Sequence, residues 1–63
     1  MSRDLLQFFK YDHLPENLQV VSKPYCEMAS FMCDTLPENS EKTTALRKLL
    51  ESKDCAVRAV LFK

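Results

Sequence analysis

A chain of 63 residues is limited to one domain, and without a single glycine it has no loop suited to wrapping a phosphate closely. Nine Lys and Arg balance nine Asp and Glu, so no net field draws in DNA or an anionic membrane. An apolar content of 46% argues against disorder, and no run approaches the roughly 18 apolar residues of a membrane span.

Residues 1–14 read as an arm. Leu5, Leu6, Phe8 and Phe9 are cut off by Lys10 and Asp12, so they are no signal-peptide core, and the expected compartment is the cytoplasm. Their cluster is too wide for one amphipathic stripe and should pack on two sides. Pro15 pushes Leu14 toward an extended shape and, followed by Glu16, marks a helix start.

The first helix is expected over about 15–36. Leu18, Val21, Tyr25, Met28, Met32 and Leu36 recur at spacings of three and four. Pro24 interrupts the ladder but not the phase of that stripe, so a kinked helix is predicted rather than a broken one. Pro37 stops it. Asn39 or Ser40 then caps a second helix over about 40–61, with Glu41 in its first turn. Its stripe is Leu46, Leu49, Leu50, Val57, Val60 and Leu61, with Ala45, Ala56 and Ala59 allowing close approach. So short a turn makes the helices antiparallel neighbours. The expected fold is all-α: an N-terminal arm and an antiparallel helical hairpin with a proline-kinked first helix.

Lys53 falls inside the second stripe. Either its stem snorkels over the core edge, or the stripe faces a polar interior made by several copies. A domain this small hides only ~60% of the surface its unfolded chain exposes, and such chains usually lean on disulfides, a metal or self-association. Cys26 and Cys33 lie about two helical turns apart, too far for a bridge, and Cys55 is left over. Reduced, partly buried thiols are expected. These cysteines and His13 lack the close paired spacing of zinc sites, so no metal is expected. That leaves an oligomer.

Catalysis is not expected, nor is a cofactor. One His has no nucleophile–base–acid set around it, and Asp12/Glu16 and Asp34/Glu38 read as solvated neighbours at helix ends. Binding is better supported. Arg47 and Arg58, eleven residues apart, share one face of the second helix. Pairing with Glu51 and Asp54 would make them a surface ion-pair stripe, whereas symmetry could gather copies of one Arg into an anion site. Tyr11, beside Lys10, offers an aromatic face near a cation, as a nucleobase and its phosphate require, or simply packs. Lys23 and Tyr25, flanking Pro24, carry the same two readings.

The runs Tyr11-Asp12-His13-Leu14-Pro15, Val21-Ser22-Lys23-Pro24-Tyr25, Leu36-Pro37-Glu38-Asn39 and Glu41-Lys42-Thr43-Thr44-Ala45-Leu46-Arg47-Lys48-Leu49-Leu50-Glu51, with Asp54-Cys55-Ala56-Val57-Arg58-Ala59, resemble small helical-hairpin phage proteins. These are the anti-CBASS and anti-Thoeris sponges, which sequester cyclic nucleotide immune signals. The resemblance covers residues 11–61. It implies a homohexamer, a trimer of dimers, with a dimer as the simpler alternative. It also implies cyclic dinucleotides bound between paired subunits and cyclic trinucleotides where three subunits meet, neither being cleaved. By it, Tyr11 matches the base-stacking tyrosine. Lys23, or Tyr25 in the other alignment, matches the phosphate-binding position. Arg58, with Arg47 as fallback, matches a late second-helix arginine. The alternative function is a protein-interaction hairpin docking a phage or host partner through Met28 and Met32.

Overall fold

The computed structural model describes residues 2–62 and the side chains of residues 4–62; Met1 and Lys63, the ends of the expected domain, lie outside. A 3-10 helix, Ser2–Phe9, forms the arm; α1 spans Glu16–Thr35 and α2 spans Ser40–Leu61. No strand occurs among the described residues. Contacts run antiparallel: Lys42 of α2 meets Cys33 of α1, and ten residues further on Ser52 meets Tyr25.

Local chemistry sets each boundary. Pro15 stands at the N-cap, and its carbonyl accepts from Leu18 and Gln19 at 2.9 Å each. The turn before it closes through Leu14 N–H donating to the Tyr11 carbonyl at 3.0 Å. The Gln19 side chain reaches back to the Leu14 carbonyl at 2.7 Å. Leu36 ends α1 at φ −84°, ψ 141°, the extended shape required before Pro37. Of the two candidate caps Asn39 serves, its Oδ1 accepting from Lys42 N–H at 2.9 Å. Pro24 sits within α1, which continues past it as one element.

The core is Phe9, Ala29, Cys33 and Leu46, with Leu5, Leu6, Tyr25, Cys26, Met32, Leu49 and Leu50 packed around it. Phe9, fully buried, comes from the arm, which touches both helices. Runs of 3-10 helix beyond three or four residues are uncommon, and burial on two sides is what supports this one. It fills the groove that two helices leave open.

The face that α1 buries is the expected one only in part: Tyr25 and Met32 of the expected stripe pack against the core. Leu18 is buried as expected, but Ser22, Ala29 and Cys33 line the core while Met28 and Leu36 are exposed. Helix and arm must both approach α1, and small side chains let them do so; Val20, Met28 and Phe31 are turned outward. In α2 the buried positions are Lys42, Leu46 and Lys53, and Leu61 is exposed.

Ser22 Oγ is buried without a hydrogen-bond partner. An unsatisfied buried hydroxyl costs about 1–3 kcal/mol, and alanine is the better helix former. Ser22→Ala should therefore raise stability by about 1 kcal/mol in thermal or urea unfolding. A loss of stability would mean that the hydroxyl has a partner in solution.

Candidate functional site

The five candidate binding residues lie on different parts of the surface. Tyr11 is half-buried in the segment joining the arm to α1. Lys23 is exposed on α1 and makes no hydrogen bond or ion pair among the described residues. Tyr25, two residues on, points elsewhere: it packs against the core, and its hydroxyl lies 3.2 Å from Ser52 Oγ, tying α1 to α2. Tyr25 also lines an apolar hollow of about 200 Å³ with Pro24, Met28 and Leu49.

Arg47 and Arg58 are both exposed on α2, about 16 Å apart along the axis. The ion pairs expected for them do not form. Glu51 pairs with Lys48 at 3.7 Å, and the Arg58 guanidinium donates to Cys55 Sγ at 3.3 Å. Neither arginine has a carboxylate within 4.0 Å among the described residues. Exposed i,i+4 pairs are worth only ~0.3–0.5 kcal/mol, so these long side chains are held weakly and their charge is left open.

Arg47 borders two open grooves. One, of about 520 Å³, is lined by Glu38, Asn39, Ser40, Thr43, Thr44 and Arg47. The other, of about 320 Å³, is lined by Asp4, Leu5, Thr43 and Arg47. The Glu38 carboxylate in the first groove is paired with Lys42 Nζ at 3.2 Å. Arg58 lies in the last turn of α2, toward its opposite end. One copy thus offers separated cations and aromatic faces, and the grooves at Arg47 and the hollow at Tyr25 include none of Tyr11, Lys23 and Arg58.

Two further lysines have duties the sequence reading missed. Lys42, buried, sends Nζ to the Cys33 carbonyl at 2.9 Å, in the last turn of α1. Lys53, also buried, sends Nζ to the Phe8 carbonyl at 2.6 Å, at the end of the 3-10 helix, and lies 6.0 Å from the Phe9 ring centroid. Both ammonium groups meet the negative end of a helix. Lys53 therefore neither snorkels to solvent nor waits for other copies; the arm of its own chain covers it. The available signal was spacing: Lys42 and Lys53 are eleven residues apart on the same face as Leu46.

Met28 and Met32 do not share a free face, since Met32 packs against the core. Cys26 is half-buried, Cys33 buried and Cys55 exposed, all free thiols. No group of three His, Cys, Asp or Glu among the described residues could hold a metal ion, and no helix is long and apolar enough to cross a membrane. Compared with protein-family models, curated proteins and solved structures, the chain matches none.

Proposed function

We propose that the protein is a phage anti-defence sponge that binds cyclic di- and trinucleotide immune signals in the bacterial host cytoplasm and holds them uncleaved. The supporting observation is that Arg47 and Arg58 stand exposed on α2 with no carboxylate partner among the described residues, so an oligophosphate ring need not displace one of these. The sequence resemblance to the cyclic-nucleotide sponges supplies the ligand class. In this reading the protein is non-enzymatic and needs no metal or cofactor.

Assembly is part of the proposal, as a homohexamer or otherwise a dimer. Among the described residues only Phe9, Leu18, Ala29, Cys33 and Leu46 form the buried apolar core, while Val20, Met28, Phe31, Leu61 and Phe62 stay largely exposed. So small a core rarely supplies more than about 3–5 kcal/mol. Separated cations would also converge only when copies meet about a symmetry axis. Pro24 kinks α1 in this account, at the ladder bond that Val20 loses.

The test is calorimetry against a panel of cyclic di- and trinucleotides, with each ligand recovered after heat denaturation. Binding of at least one, with the ring intact, is expected. In the binding mode with Tyr11 as the stacking platform, Tyr11→Ala removes ~1–3 kcal/mol, one to two decades of dinucleotide affinity. Lys23→Ala weakens the same ligand by loss of a charge-assisted phosphate contact. Silence across the panel would sink the proposal in favour of a protein-docking hairpin, and a hydrolysed ring would make the protein an enzyme.

A further inference from the structure

The apolar surface that α1 does not bury is organised. Val20 is 70% exposed, Met28 48% and Phe31 60%, and Pro24 is exposed with them. Their spacings of four, four and three place all of them on one stripe about 16 Å long. That stripe faces away from Leu18, Ser22, Ala29 and Cys33, and among the described residues none covers it. Lys23 and Glu27 lie side by side along one edge of it, exposed, yet they pair neither with each other nor with another described residue.

Apolar and charged positions share one centre. The midpoint of Val20 and Phe31 falls between Tyr25 and Cys26, and the midpoint of Lys23 and Glu27 falls level with Tyr25. Resting on the oligomeric reading above, we infer that α1 docks antiparallel against α1 of a second copy, about a two-fold axis at that level. Val20 of each copy then covers Phe31 of the other, with Pro24 near the crossing point. An antiparallel two-fold brings like edges of the two helices together, so each Lys23 meets Glu27 of the second copy, and the contact is made twice. A parallel pairing would set those edges apart and leave both charges unmatched. Glu16 and Asp34, the acids toward the ends of the same edge, lie about nine residues from the centre, where crossing helices diverge. The result is an apolar centre with a charged rim.

The experiment is sedimentation equilibrium on the ligand-free full chain, with circular dichroism to verify that each variant keeps its helices. Phe31→Glu should weaken self-association by about 30-fold or more, as loss of a central aromatic anchor does. Lys23→Glu and Glu27→Lys should each weaken it by about 10-fold at low salt, because each sets like charges together on both sides of the axis. The exchanged pair, Lys23→Glu with Glu27→Lys, should restore association to the parental value, which a merely damaged fold would not do. If the parent associates but Phe31→Glu is silent, or the exchanged pair stays as weak as the single variants, this interface is wrong and the oligomeric reading stands. If the parent is a monomer at micromolar concentration, both fail.

Discussion

Arg58→Ala should cost at least about three decades of cyclic trinucleotide affinity while leaving the fold intact. The size follows from multiplicity. A charge-assisted hydrogen bond is worth about 1.5–3 kcal/mol, and one substitution at a three-fold axis deletes three guanidinium groups. In the single chain the same residue matters little: it is exposed, its bond goes to a thiol sulfur, and no carboxylate among the described residues pairs with it. Isothermal calorimetry with the trinucleotide, beside thermal unfolding of the same sample, separates the two roles. Arg47→Ala serves as the comparison, since Arg47 borders the grooves at the other end of the hairpin. Should Arg58→Ala remain a folded oligomer and bind trinucleotides as tightly as the parent, the arginine is misassigned. An Arg47→Ala loss of the same size would move the site to that end.

A large effect on stability is expected at Lys53. Lys53→Ala should cost about 2–4 kcal/mol, from a lost charge-assisted bond to the Phe8 carbonyl, lost stem packing and a lost cation–π contact with Phe9. For a chain of this length that is a fall in melting temperature of roughly 10–25 °C, measured at fixed protein concentration because an oligomer's midpoint depends on it. Lys53→Met keeps the stem and removes both the ammonium and the cost of burying it, so it should cost less than half as much. The arm should loosen before the hairpin does. Faster hydrogen exchange at residues 4–9, with α1 and α2 still protected, would register that order. Equal stability of parent and Lys53→Ala would mean that the arm is held by Phe9 burial alone.

These two positions also mark where sequence reading stops. The resemblance pointed to Arg58, but nothing in its neighbourhood disclosed that Asp54 would leave it free. An i,i+4 pair on an exposed helix is so weakly favoured that its formation depends on competing contacts, here Cys55 for Arg58 and Lys48 for Glu51. Lys53 stood out as a break in an apolar stripe, but its acceptor lies 45 residues away in the chain. Lys42 gave a weaker sign still, and it proves to close the end of α1.

What the sequence determined by itself was local: two helices, their ends and the turn between them. Pro15, Pro37 and Asn39 act within four residues of themselves, through a fixed φ, a missing N–H and one side-chain oxygen, so no distant contact is needed to read them. The tertiary structure decided which side of α1 faces inward. Its apolar residues wrap most of the way around, and periodicity could not choose between the stripe through Met28 and the one through Ala29 and Cys33. Close packing chose the small residues, because the arm and α2 must both reach the same helix. That choice leaves the large residues Val20, Met28 and Phe31 outside, as an exposed stripe.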